Sequence, residues 1–462
     1  MTEHNSKEFI ASIIDRAREA QKVAEGFSQE KVDEICMAVV YEATKPENAD
    51  KIAKLAVEES QMGNYDGKYG KLMVKSKGTL RDMKGKKSVG VIEIDEEKGL
   101  MKIAKPAGVI AGLIPCTNPE ATPVVKAISA LKGRNAIVMS PHPRTKKTNT
   151  MVVNLIRETL KKYDAPEDLV IGLEEPSMED SGELMKQADL ILATGGAGLV
   201  KAAYSSGTPA YGVGAGNAVT VVDETADLKD AANKIMRSKT FDYATSCSTE
   251  NSCVIQEDIY DDMVKAMEAE GGYLVSPEEK ELLQKAMWVD GHLNPKIITQ
   301  PVERIVEIAG FEIPEEKTFL MVEEDKVGPE HPFSGEKLSV VTTLFKYSSF
   351  QDAVDRVNEI TGYQGSGHSC GIHTFNEDHV MELSSNTKTS RVMVRQPQCL
   401  ANSGAWTNGM PMSMTLGCGT WGGNISSKNI TWDDLINVTW VSYEIESTEP
   451  TDEELFAELN KR

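Results

Sequence analysis

Two segments of this sequence bear the marks of reaction chemistry. The first is Phe241-Asp242-Tyr243-Ala244-Thr245-Ser246-Cys247-Ser248-Thr249-Glu250, which sets a cysteine in a short, polar, glycine-free loop between a helical and a strand pattern. The thiolate is the nucleophilic form of cysteine, and polar loop surroundings suit it, whereas a structural cysteine prefers apolar neighbours. Cys253, followed by Val254 and Ile255, fits the buried description; Cys36 falls on a helix face and Cys418 in a glycine turn. On local grounds Cys247 is therefore either a nucleophile or a loop thiol without function. Sequence spacing pairs no histidine or carboxylate with it, so a Cys-His or Ser-His-Asp hydrolase has no positive support.

The second segment is Thr194-Gly195-Gly196-Ala197-Gly198, which follows the apolar run Leu190-Ile191-Leu192-Ala193. A turn of this kind exposes backbone N–H groups at a helix N-terminus, where an anion can bind. Its spacing is not the G-x-G-x-x-G dinucleotide fingerprint, so a plain tight turn between strand and helix accounts for it equally well. In Ser140-Pro141-His142-Pro143-Arg144 the flanking prolines point to a rigid turn rather than to a metal ligand at His142. No cysteine or histidine grouping has metal-ligand spacing, and no metal is expected.

The elements that must position these residues alternate as in a parallel sheet with crossover helices, an α/β fold. Residues 1–85 read as helices, with Ile10, Ile13, Ile14 and Ala17 at helical spacing. Strands are predicted at Val109–Ile114, Ala136–Met139, Leu169–Gly172, Leu190–Ala193, Ala210–Val213 and Ala218–Val222, with helices at Pro119–Leu131 and Lys147–Tyr163 between them. Later strands are predicted at Ser339–Leu344, His368–Thr374 and Arg391–Val394. A tail strand, Asn437–Ile445, carries one apolar and one mixed face suited to pairing with another subunit. Three parts are expected: residues 1–239 for N-terminal helices and a nucleotide cofactor, 240–425 for the nucleophile, and 426–462 for oligomerisation.

The 462 residues are 40% hydrophobic and 26% charged, an ordinary balance for a soluble enzyme. A formal charge of −21 disfavours nucleic acid and anionic membranes, whose phosphates it repels. No stretch reaches the ~20 apolar residues of a membrane span, and the polar N-terminus lacks the basic end and apolar core of a signal peptide. Seven scattered cysteines without paired spacing fit free thiols in a reducing cytoplasm.

Taken in order, a longer series of motifs resembles the CoA-acylating branch of the aldehyde dehydrogenase superfamily, in particular the aldehyde dehydrogenase half of bifunctional aldehyde–alcohol dehydrogenases. The series is Pro106-Ala107-Gly108-Val109-Ile110, Pro115-Cys116-Thr117-Asn118-Pro119, Ser140-Pro141-His142-Pro143-Arg144, Ala193-Thr194-Gly195-Gly196, Gly212-Val213-Gly214-Ala215-Gly216-Asn217, Ser238-Lys239-Thr240-Phe241-Asp242 and Leu416-Gly417-Cys418-Gly419-Thr420-Trp421-Gly422-Gly423-Asn424. The resemblance implies a Rossmann-like cofactor domain, an α/β catalytic domain and a β oligomerisation element in a dimer or tetramer. It places the nucleophile at Cys247, which attacks the aldehyde, loses hydride to NAD or NADP and holds a thioester for coenzyme A. It assigns the oxyanion to the side-chain amide of Asn118 and the backbone N–H of Cys247; without it, Asn118 reads as a helix cap. It puts Ser140, Pro141 and Pro143 under the adenosine, Thr194 and Gly195 near the pyrophosphate, and Glu336 on the nicotinamide ribose. Arg144, with Lys146 and Lys147, is available for a 2′-phosphate or simply solvated. His368 matches a histidine usual in the acylating branch, for CoA or the thioester or as a structural residue. The glutamate base of hydrolytic members is replaced by Gly212, so CoA rather than water is the implied acyl acceptor.

The sequence departs from acetaldehyde-type relatives at Val394-Arg395-Gln396-Pro397-Gln398-Cys399-Leu400-Ala401-Asn402, a region the family uses to line the aldehyde pocket. A guanidinium there is costly unless it meets an anion. Arg395 and Asn402 are accordingly predicted to hold a short anionic aldehyde, sulfoacetaldehyde first, with succinate semialdehyde or acetaldehyde as alternatives; Arg395 paired to a carboxylate of the chain is the competing explanation. A relative acting on an acyl phosphate, and a non-catalytic shell-associated subunit of the same fold, are the other readings.

Overall fold

The computed structural model describes residues 5–459 and Lys461. Four helices, α1 (Ser6–Glu25), α2 (Gln29–Ala43), α3 (Pro46–Ser60) and α4 (Tyr65–Met83), open the chain. Their starts follow local capping chemistry: Asn5, Ser28 and Asn64 each accept a hydrogen bond from a first-turn N–H of the helix they precede. Ile10, Ile13, Ile14 and Ala17 bury the inner face of α1, as their spacing predicts.

After the hairpin strands β1 (Gly90–Asp95) and β2 (Leu100–Pro106) the chain winds through β3 (Val109–Ile114), α5 (Thr122–Lys132), β4 (Ala136–Pro141), α6 (Lys146–Lys162), β5 (Val170–Gly172), α7 (Met178–Gln187), β6 (Leu190–Thr194), α8 (Ala197–Ser205) and β7 (Ala210–Val213). The five strands β3 to β7 form a parallel sheet in the order β5-β4-β3-β6-β7. β3 to β5 extend the sheet one way and β6 and β7 the other, so the order reverses between β3 and β6. Ligands of open parallel sheets bind outside the carboxyl ends of the strands at such a reversal. Those ends are Ile114, followed by Pro115–Asn118, and Thr194, followed by Gly195 and Gly196.

A second parallel sheet comprises β8 (Ala218–Val222), β9 (Glu250–Gln256), β10 (Gly272–Leu274), β13 (Phe319–Glu323), β14 (Val341–Tyr347), β15 (Cys370–His373) and β16 (Val392–Val394), in the order β10-β13-β14-β9-β8-β15-β16; β11 (Trp288–Val289) and β12 (His292–Leu293) make a small ribbon apart from it. The change of sheet therefore falls between Val213 and Ala218. β8 is a fully buried strand, and a run without alternation does not show which sheet it joins. α9 (Leu228–Thr240) then leads to the Cys247 loop.

The predicted helix at Pro119 begins only at Thr122. The tail strand, β17 (Ile436–Ser442), pairs antiparallel with β2 of its own chain. The resulting sheet β1-β2-β17 leaves Ile94 and Trp440 about 60% exposed. No described helix is long and apolar enough to cross a membrane.

Candidate active site

Cys247 follows a backbone bent against ordinary preference. Asp242, Tyr243 and Ala244 have φ of 49°, 49° and 60°, a left-handed run that non-glycine residues adopt only when their surroundings hold them there. What holds it is α4. The buried Asp242 carboxylate accepts from Asn64 N at 2.7 Å and from Thr245 Oγ1 at 2.6 Å, and pairs with Lys68 Nζ at 3.0 Å and Lys71 Nζ at 2.5 Å. Gly67 makes the approach possible, since a Cβ there would stand 2.4 Å from Cβ of Asp242.

Lys71 is the residue that joins the loop to the other half of the site. Its Nζ donates to Thr245 Oγ1 at 3.1 Å and to Asn118 Oδ1, and lies 3.5 Å from the buried Glu120. Burial works against its charge, but Asp242 and Glu120 outweigh burial and lift its pKa above the ordinary lysine value. With Oδ1 so occupied, the Asn118 amide has only its NH2 group to present, and that group reaches Thr117 Oγ1 at 3.1 Å. Asn118 and Cys247 line one cavity of about 1060 Å³ together with Ser140, Pro141, Pro143, Thr194, Gly195 and Glu336.

His368 stands closer to the reactive atom than its expected place beside substrate. Its Nε2 is 3.1 Å from Cys247 Sγ, and its Nδ1 is 2.9 Å from Ser369 Oγ. Burial, reinforced by the Arg391 guanidinium, lowers its pKa to about 3, so the ring is neutral at physiological pH. Burial, followed by the nearby Glu336, pushes the Cys247 thiol up to about 12. The site thus sets a thiol whose ionisation burial opposes against a neutral imidazole 121 residues away in sequence.

Glu336 is 8% exposed; its Oε1 accepts from Gly216 N at 3.1 Å, and burial raises its pKa to about 8. Gly216 must be glycine, because a Cβ there would lie 2.0 Å from the Cys247 carbonyl oxygen. A buried carboxylate facing a long cavity, with Thr194-Gly195 backbone at a strand end, fits the ribose and phosphates of a nicotinamide dinucleotide. Gly212 is filled from behind: Tyr204 Oη bonds its N–H at 3.0 Å and its carbonyl at 3.3 Å, and a Cβ would meet Tyr204 and Val200 at 2.9 Å.

Three expectations are corrected. Arg395 does not line the cavity: its Nη1 donates to Thr374 O at 2.5 Å and its guanidinium lies over the Phe375 ring, 4.7 Å from the centroid. The carboxylate pairing set against that expectation is also absent among the described residues. Arg395 has φ 51°, and this turn after β16 carries its side chain away from Cys247. Asn402 is fully buried behind the site, where its Nδ2 donates to Ser369 Oγ at 3.2 Å and so supports His368 instead of touching substrate. Arg144 also stands off the cavity, with Nη2 on Ser60 O at 2.6 Å, and Lys146 pairs with Glu175. Among the residues that spacing did not select, Lys68, Lys71 and Lys75 could have been noticed as three lysines on one face of α4, a face that also buries Leu72 and Thr79.

Residues 2–276 match the model of the aldehyde dehydrogenase family. The chain is 47% identical over 454 residues to a sulfoacetaldehyde dehydrogenase of an Acholeplasma species, covering 97% of this chain and 94% of that one. It is 45% identical to an acylating sulfoacetaldehyde dehydrogenase of Bilophila wadsworthia, covering 98% and 99%. The crystal structure of an acetylating aldehyde dehydrogenase from Geobacillus thermoglucosidasius superposes with a TM-score of 0.93 at 37% identity, covering 96% of this chain and 98% of that one. A family match over more than half of the chain, with relatives 45–47% identical along almost all of it, shows that the chain belongs to the aldehyde dehydrogenase family.

Proposed function

We propose that this protein is a CoA-acylating dehydrogenase of sulfoacetaldehyde: the aldehyde, CoA and NAD or NADP in their oxidised form give sulfoacetyl-CoA and the reduced nicotinamide, reversibly. The observation that carries this reading is the pairing of Cys247 Sγ with His368 Nε2 beside an Asn118 amide whose oxygen is already taken by Lys71. The substrate is proposed from the two sulfoacetaldehyde dehydrogenases, since Arg395 no longer argues for it.

Ser369 Oγ accepts from Asn402 Nδ2 and lies against His368 Nδ1, which holds the ring with Nε2 facing sulfur. As sulfur ionises, the neutral His368 Nε2 takes the thiol proton and, so protonated, stabilises the thiolate as a donor. The Cys247 thiolate adds to the aldehyde carbon, and Asn118 Nδ2 together with Cys247 N–H faces the developing oxyanion. Bound nicotinamide supplies the hydride acceptor. The thioester left on Cys247 passes to the CoA thiol, a nucleophile that needs less activation than water, and no carboxylate stands at position 212 to activate water. Ser140, Pro141, Pro143, Thr194, Gly195 and Glu336 hold the dinucleotide. The exposed apolar face of the β1-β2-β17 sheet is proposed to be covered by a second copy of the chain.

The test is nicotinamide reduction with sulfoacetaldehyde, acetaldehyde and succinate semialdehyde, with and without CoA. Strict CoA dependence with a preference for sulfoacetaldehyde is expected; CoA-independent turnover, or a preference for acetaldehyde, contradicts the reading.

A further inference from the structure

Helix α4 lays three lysines, Lys68, Lys71 and Lys75, at intervals of three and four along one buried face. Their charges are not balanced. Lys68 and Lys71 share Asp242, and Lys71 also faces Glu120. Two cations thus meet two anions, and nothing is left for the third. Lys75 is 6% exposed and forms no ion pair among the described residues. Its Nζ donates to Gly404 O at 2.6 Å and Ser403 O at 3.3 Å, and its remaining polar neighbour is the thioether of Met412 at 3.9 Å, a weak acceptor. Burial lowers its pKa to about 8; the neighbouring Lys71 adds to this, and the Cys399 thiol, itself pushed up to about 11, opposes it. A buried ammonium whose third acceptor is only a thioether, with no carboxylate paired to it, is a costly arrangement that an arriving anion relieves.

Lys75 also lines the cavity that contains Cys247. It sits one turn of α4, ~5.4 Å of rise, beyond Lys71, and Lys71 Nζ touches both Asn118 Oδ1 and Thr245 Oγ1. In a two-carbon aldehyde one methylene separates the carbonyl carbon from sulfur, which is shorter than that step, and the S–O bond with the ammonium–oxygen contact spans the remainder. We infer that Lys75 is the receptor for the anionic end of the substrate, placing sulfonate oxygens on its ammonium while the carbonyl lies between Asn118 and Cys247. This rests on the proposed sulfoacetaldehyde activity, and it moves substrate recognition from the loop after β16 to the face of α4. Arg237, exposed on the same cavity with no partner among the described residues, is the other cation to be distinguished.

Lys75→Met and Lys75→Gln are to be compared with wild type and Arg237→Ala through the ratio of kcat/KM for sulfoacetaldehyde to that for acetaldehyde. The expected result is a fall of about 30-fold or more in this ratio for both Lys75 variants, arising in KM, with Arg237→Ala leaving it in place; a lost charge-assisted contact of ~2 kcal/mol corresponds to that factor. A structural role for Lys75 lowers both activities alike and leaves the ratio unchanged, which overturns the inference, as does a ratio that moves with Arg237. If neither Lys75 variant folds, wild type decides. Ethanesulfonate should then inhibit acetaldehyde oxidation competitively and at least 10-fold more strongly than the neutral ethyl methyl sulfone; equal inhibition overturns the inference. Wild type that excludes neutral sulfone, binds ethanesulfonate and yet fails to oxidise sulfoacetaldehyde refutes the substrate while leaving the anion receptor standing.

Discussion

Nε2 of His368 lies 3.1 Å from Sγ of Cys247, with the histidine ring buried and neutral. A thiol that burial lifts to about 12 reacts slowly unless its ionised form gains a donor. Replacing His368 with alanine is expected to slow alkylation of Cys247 by iodoacetamide and to lower kcat by 10²-fold or more, within the ordinary span of proton-positioning side chains. Cys247→Ser should abolish both. Alkylation at the wild-type rate in the His368 variant refutes the donor role.

Lys71 and Asn118 should separate cleanly in a stability assay. Asn118→Ala removes one oxyanion donor and is expected to lower kcat by ~10²–10³-fold with little change in Tm. Lys71→Met frees Asn118 to rotate and also leaves Asp242 and Glu120 short of a buried partner, so it should lower kcat and cost ~3–5 kcal/mol of stability. Thermal melts beside steady-state kinetics make the comparison; equal Tm values for the two variants would count against this placing of Lys71.

Glu336 gives a pH signature. Burial raises its folded pKa to about 8, above the unfolded carboxylate value. Ionisation is therefore penalised in the folded state, and stability from this group falls as pH climbs from about 4.5 toward 8. Ribose hydroxyls donate, so they prefer the carboxylate form. Cofactor affinity should accordingly strengthen between about pH 7 and about pH 9 (on the order of one pKa unit either side of the midpoint), and Glu336→Gln should flatten the profile. Titrating nucleotide binding by fluorescence checks both.

Restoring a glutamate at position 212 should not create a hydrolase. Its Cβ would lie 2.9 Å from both Tyr204 and Val200, so Gly212→Glu is expected to destabilise the fold without CoA-independent turnover. A release assay for the free acid, run without CoA, would detect the contrary.

The aldehyde dehydrogenase architecture was legible without coordinates because strand runs such as Val109–Ile114 and Leu190–Ala193, and the turns after them, are set by near neighbours along the chain. Cys247, Asn118, Glu336 and the glycines at 195, 212 and 216 could likewise be picked out from ordered motifs. Arg395 could not be interpreted that way. Its residue type suggested an anion, but a left-handed backbone at that single residue aims it at Thr374 O and Phe375. His368 could be named for CoA or the thioester, but its direct contact with the Cys247 sulfur could not, since it arrives just before β15 and its support, Asn402, at the end of the short helix Gln398–Ala401. By itself the sequence determined which residues could react and which strands and helices would form. Tertiary structure alone decided which of those residues meet, because sheet order brings together side chains more than a hundred residues apart, and burial then sets whether each is charged, neutral or, like Lys75, left without a counter-ion.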